Sequence, residues 1–133
     1  MPIIVANWKK NPASEKEAQE LLSATKNAAK NIQGVEVVIC PPDVYLSALS
    51  DEKGLILGAQ DFQPDLKNWN IKYAIVGHSD RRNLGETDDV INKKIKSVLG
   101  DGIVAIFCVG EKEGENKEEI LEKQITEGLK DIE

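Results

Sequence analysis

The stretch "YAIVGHSDRR", residues 73–82, changes character halfway along. Tyr73, Ala74, Ile75 and Val76 form a short apolar run, and Gly77 breaks it. His78 and Ser79 follow, then an acid and two arginines. A run of that length, closed by glycine and followed by polar residues, reads as a strand that ends in a turn. His78 is the only histidine among the 133 residues. It is either a bystander at the end of a buried strand or a chemical group placed at a strand end.

Four further runs share this character: "IIVANW" (3–8), "VEVVIC" (35–40), "LILGAQ" (55–60) and "IVAIFCVG" (103–110). Most are β-branched and nearly continuous rather than alternating, which is expected of parallel strands covered on both faces. Helical patterns lie between them. Residues 14–32 open with Ser14 and Glu17 at capping-box spacing. They then place Ala18, Leu21, Leu22, Thr25, Ala28, Ala29 and Ile32 on one stripe, with Gly34 as the stop. A second helix begins near Thr87, has Asp88 and Asp89 where negative charge suits the dipole, and carries Val90, Ile91, Ile95, Val98 and Leu99 up to Gly100. A third runs from about Glu115 to the last residues, with Ile120, Leu121, Ile125, Leu129 and Ile132. A shorter helix is expected after Pro41-Pro42, through "VYLSALS".

Strand alternating with helix predicts βα units, hence an α/β fold with a parallel sheet and right-handed crossovers. The connection "DFQPDLKNWNIK" (61–72) breaks the rhythm: a dozen residues containing a proline is close to the shortest return to a parallel neighbour. One turn of helix fits there at most. Residues 1–133 read as one domain, without repeats or low-complexity linkers.

Composition narrows the function classes. Hydrophobic residues at 41% and charged residues at 30% fall in the range of ordinary globular proteins. With a net charge of −6 and no basic cluster larger than a pair, nucleic acid and anionic membrane surfaces are not expected partners. No signal peptide or membrane span is legible, and Cys40 and Cys108 read as reduced, packed thiols, so the expected location is the cytoplasm.

The candidates for chemistry are polar residues at the strand ends, because loops and helix N-termini converge on that edge of a parallel α/β fold. These are Asn7, Trp8 and Lys9 after the first strand, Gln60 and Asp61 after the third, His78, Ser79 and Asp80 after the fourth, and Glu111 after the fifth.

Their joint text is more specific than any one of them. "ANWKKN", "VICPP", "GAQ", "VGHSDRR", "ETDDVINKKI" and "IFCVGE", in this order, resemble the triosephosphate isomerase family over essentially the whole chain. The resemblance implies a truncated (β/α)₈ barrel: an open parallel sheet of about five strands with helices outside. It also implies interconversion of glyceraldehyde 3-phosphate and dihydroxyacetone phosphate, a step of glycolysis and gluconeogenesis, without cofactor or metal. Lys9 would be the cation that stabilises negative charge on the substrate oxygen, and Asn7 would position that oxygen. His78 would be the electrophile, a role known for this family, in which a helix N-terminus keeps the imidazole neutral. Ser79 would begin a turn that aims backbone N–H groups at the ring. Arg81 and Glu86 would form a structural ion pair behind the site. Asp80 stands where the family has a glutamate that contacts the lysine, and it is one methylene shorter.

Two family features have no counterpart in these 133 residues: the lid segment reading like "YEPVWAIGTG", which carries the catalytic glutamate, and the phosphate-gripping loops after strands seven and eight. The short third connection also lacks most of a helix and the loop that family members insert into a partner subunit. Weak or absent isomerase activity is therefore expected, with a small phosphorylated triose as substrate if there is any. Asp80, Glu86 and Glu111 are the carboxylates that could replace the base. Five strands should leave two sheet edges and an apolar inner face open, which predicts a homodimer or larger assembly through an interface unlike the family's own. Two alternatives are a non-catalytic, self-associating scaffold that binds a small anion, and one half of a split enzyme.

Overall fold

A computed structural model describes residues 1–133. Strand β1 (Ile3–Asn7) leads to helix α1 (Glu15–Ala29), whose start is fixed by two reciprocal bonds. The Ser14 hydroxyl accepts from the Glu17 N–H at 3.3 Å, and the Glu17 carboxylate accepts from the Ala13 N–H at 3.1 Å. Strand β2 (Glu36–Cys40) is followed by a 3-10 turn (Asp43–Tyr45) and helix α2 (Leu46–Leu49). Strand β3 (Ile56–Ala59) reaches β4 (Ile71–Val76) through a single 3-10 turn (Leu66–Asn68), as the length of that connection requires. Helix α3 (Ser79–Asn83) starts directly after β4, and α4 (Asp88–Gly100), β5 (Val104–Phe107) and α5 (Lys117–Gly128) complete the order.

The five strands lie side by side in chain order, and every neighbouring pair is parallel. Asn7 pairs with Cys40, Ala59 with Ala74 and Val76 with Phe107, so the strand C-termini gather at one edge. The outer face, with Ile39, Leu57, Ala59, Ala74 and Val76, is buried with Ala18 and Leu22 of α1 and Ile91, Ile95 and Val98 of α4. The inner face holds Val38, Cys40, Tyr73 and Ile75, with Ile56, Ile106 and Cys108 packed against them. The result is a curled half-barrel with external helices: the parallel order is what the alternation of runs predicts, and the truncated barrel is what the family resemblance implies.

The inner face is filled only at its centre, where Val38 and Cys40 have no exposed surface and Tyr73 and Ile75 keep only 6% and 4%. The curl closes over Gly58, where an added Cβ would stand 2.7 Å from Cys40 Sγ, so the neighbours already fill the place of a side chain. Toward the two outer strands that face is open: Ile3 and Val5 of β1, on the side of Val38, are 46% and 36% exposed, and Val104 of β5, on the side of Tyr73, is 46% exposed. Two expectations need correction. The apolar stripes are narrower than expected, since Leu21, Val90 and Leu99 face outward. Helix α5, finally, stops at Gly128 and buries Gln124 and Gly128, leaving Ile125 and Leu129 exposed. The Phe107 ring sits 2.3 Å from the place of a Gly128 Cβ, so only glycine lets the helix approach the strand.

Cys40 and Cys108 are free thiols. Burial pushes Cys40 up to about 12 and raises Cys108 as well, so neither is a ready nucleophile. No helix is long and apolar enough to cross a membrane.

Candidate active site

Lys9 follows β1 in a left-handed backbone conformation, with φ +54°. A lysine there carries the Cβ clash that normally reserves this region for glycine, so something must hold it. The Asn7 side-chain oxygen accepts from the Lys9 N–H at 2.8 Å. The Gln60 amide, at the end of β3, donates to the Lys9 carbonyl at 2.8 Å and to the Cys40 carbonyl at 3.0 Å. Both polar groups of the strained peptide unit are thus fixed by side chains from two strand ends. Strain held in this way is typical of functional positions.

The Lys9 ammonium, 61% exposed, lies 3.4 Å from Asp80 Oδ2. The shorter acid therefore spans the gap. The same oxygen is 3.9 Å from Nδ1 of His78, whose side chain is only 18% exposed. One carboxylate thus faces both the cation and the imidazole at the C-terminal edge of the sheet. The turn after β4 is not built as the sequence suggests. His78 is the N-cap of α3, and its carbonyl accepts from the Arg81 and Arg82 N–H groups, but no backbone N–H is bonded to its ring. Ser79 opens α3.

Behind these residues lies a compact ionic cluster. The Arg81 guanidinium bonds Glu86 at 2.9 Å and Asp61 at 3.0 Å, Lys94 bonds Asp61 at 2.7 Å, and Lys94 also pairs with Glu86. Burial acts to raise the Glu86 carboxyl, but hydrogen bonds from Lys94 and Arg81 outweigh it and leave Glu86 below its ordinary value. A carboxylate held charged between two cations is a poor proton acceptor, which removes Glu86 from the candidate bases. Arg82 does separate work: it binds Asp88 at 2.7 Å and donates to the Gly77 and Cys108 carbonyls at 2.8 and 3.2 Å, tying α3 to the ends of β4 and β5. Exposed Glu111 lines a cleft of about 250 Å³ beyond α3, together with Ser79, Arg82, Cys108 and Gln124.

The geometry therefore brings Asn7, Lys9, His78 and Asp80 together, and joins Arg81 to Glu86. Gln60 and Asp61 are legible as strand-end residues, but the clamp on Lys9 and the ionic cluster are not. Lys94 is 33 positions from Asp61 and sits inside an ordinary helix, so no local pattern marks it.

Comparison with known proteins gives the family of the chain. The family described as triosephosphate isomerase matches residues 2–65 and 62–133. The chain is 38% identical to the triosephosphate isomerase of Dictyoglomus thermophilum, covering 98% of this chain and 61% of that protein. It is 37% identical to that of Endomicrobium trichonymphae, over 98% and 60%, and 36% identical to that of Clostridium botulinum, over 98% and 60%. The chain thus spans about three fifths of the length of the curated relatives it matches. Alignments of 152 positions exceed the 133 residues present, and the family match restarts at residue 62. The relatives therefore carry additional residues in the connection after β3.

Proposed function

The chain belongs to the triosephosphate isomerase family, and from that premise we propose that its strand-end site is the electrophilic half of an aldose–ketose isomerase. Lys9 and His78 polarise the carbonyl of a small phosphorylated triose, and Asn7 fixes the Lys9 peptide. Asp80 holds the ammonium near the imidazole. The clamped, left-handed Lys9 carries this reading, because a structural lysine has no reason to keep a strained backbone. Each well-placed donor of this type is worth roughly 10²–10³ in rate.

Turnover by these 133 residues is weak or nil. General-base catalysis contributes roughly 10²–10⁴, and the site offers only Asp80 and Glu111 for it. Asp80 is engaged by Lys9. No family-type phosphate loop is present to supply the remote binding energy that supports turnover.

The test is triose phosphate isomerisation by protein from a host without its own isomerase, compared with His78→Asn. A low rate that disappears in the variant supports the proposal. Equal rates in both proteins leave the site without catalytic use and favour a non-catalytic role.

A second reading concerns assembly. The exposed Ile3, Ile4 and Val5 on β1, an edge strand paired only with β2, favour self-association of the chain. The short connection after β3 gives no reason to expect an interface built from that region.

A further inference from the structure

The His78 ring makes no hydrogen bond within the chain, and its one ionic neighbour is Asp80 Oδ2, 3.9 Å from Nδ1. A ring with so little polar support of its own follows the backbone on either side of its Cα. Gly77 gives the chain the turn it needs there, with φ +76°, a conformation that strains any residue with a side chain.

One residue holds both peptide units that flank the His78 Cα. Arg82 Nε donates to the Gly77 carbonyl at 2.8 Å, and the Arg82 backbone N–H donates to the His78 carbonyl at 3.1 Å. The guanidinium is fixed in turn. One terminal nitrogen donates to the Asp88 carboxylate at 2.7 Å, and the other donates to the Cys108 carbonyl at 3.2 Å. The rigid fork of arginine serves three acceptors at once, which the point charge of a lysine does not. Arg82 and Asp88 keep only 12% and 17% of their side-chain surface exposed. The fork fits because Gly77 has no side chain: a Cβ there would stand 3.3 Å from Arg82 Nη2 and 3.2 Å from two carbons of Ile91. A cation kept only to balance Asp88 would have no need of two strand-end carbonyls.

We propose that Arg82 is a positioning residue for His78: it fixes the two peptide units around the histidine Cα and so sets where the imidazole meets a substrate carbonyl. This rests on the electrophile reading given above and adds a residue that acts only through the histidine.

His78 is the only histidine, so its ring signals in proton–carbon NMR spectra are unambiguous and provide the test. In the parent chain, Asp80→Asn removes a charge 3.9 Å from Nδ1 and should shift these signals. In Arg82→Lys, which keeps the charge but loses the fork, the same substitution should shift them far less, because the ring has left its place beside Asp80. Asp88→Asn is the milder change, since it leaves the guanidinium in the chain. It should reduce the response in the same direction, and it reports if Arg82→Lys does not fold. Val98→Ala, a buried truncation at the opposite end of α4 from Asp88, destabilises the chain and should leave the response whole. A full response in both Arg82→Lys and Asp88→Asn would overturn the proposal and leave Arg82 a structural tie. A response lost equally in Val98→Ala would overturn it too, by assigning the effect to general loosening. In the isomerisation assay Arg82→Lys should lower kcat about 10²-fold with KM little changed, since a misplacement of about 1 Å costs that much. A parent chain without turnover would sink the electrophile reading, while the ring signals would still decide whether Arg82 positions His78.

Discussion

At Lys9 the backbone and the side chain make separate demands, and substitution can separate them. Lys9→Ala keeps a Cβ in the left-handed region, whereas Lys9→Gly removes it. The left-handed conformation costs roughly 1–2 kcal/mol for a residue with a Cβ, and glycine's greater freedom in the unfolded chain offsets part of that. Lys9→Gly should therefore be more stable than Lys9→Ala by about 1 kcal/mol, read from urea midpoints, and any isomerase activity should vanish in both. Equal midpoints would mean that the peptide carries no strain. Glu86 makes a second residue-scale claim. Its carboxyl lies below the ordinary value of 4.5 in the folded chain, so the native state binds fewer protons than the unfolded state in the acid range. That stability is present above pH 4.5 and lost as the pH falls through the folded value. Asp43, raised mainly by burial, acts with the opposite sign. Between pH 7 and pH 4 the wild-type urea midpoint should fall further than that of Glu86→Gln. An equal fall would assign the acid sensitivity to other carboxylates, such as Glu36, which is held low by hydrogen bonds from Lys72 and Tyr73.

At the scale of elements, close approach at two glycines shapes the half-barrel. In β3, Gly58 leaves room for Cys40 Sγ, Val38 Cγ1 and the Tyr73 carbonyl, which lie 2.7, 3.0 and 3.2 Å from the place of a Cβ. One of these is backbone of the neighbouring strand, so relief requires the sheet to shift. Gly58→Ala should cost about 1–3 kcal/mol, the usual range for overpacking, measured by denaturant unfolding; a neutral result would mean that the curl is looser than these distances imply. The strands and the major helices are legible in the sequence because period and capping are local properties. Ser14 and Thr87 both accept the N–H three residues on, as their positions predict. Helix α5 is less legible. Its apolar residues suggest one inward stripe, but the width of the Phe107 ring turns Gln124 and Gly128 inward and Ile125 and Leu129 outward. The Gln124 amide then bonds both the N–H and the carbonyl of Gly110, at 2.8 and 3.0 Å, which compensates its burial.

For the whole molecule the governing feature is the pair of sheet edges. Ile4→Lys places a charge on the more exposed one, 54% open in the isolated chain, and is a standard way to block edge pairing. It should shift the chain toward monomer in sedimentation while leaving the thermal midpoint of the monomer within a few degrees, because a surface change of this kind is worth about 0.5 kcal/mol or less. An unchanged oligomer would place the contact elsewhere. The sequence by itself determined the order of βα units, the parallel sheet, the place of Asn7, Lys9 and His78 at strand ends, and membership of a family. These follow from periodicity and from residue types at fixed spacing, and both survive in a one-dimensional text. Only the tertiary structure decided that Gln60 clamps Lys9, that Asp61 and Lys94 join Arg81 and Glu86, and that the inner face is filled at its centre but exposed along β1 and at Val104. Those facts depend on distances between residues far apart in the chain and on the curvature of the sheet. Curvature comes from how side chains such as Cys40 and Tyr73 fill the space over Gly58, and no single segment encodes it.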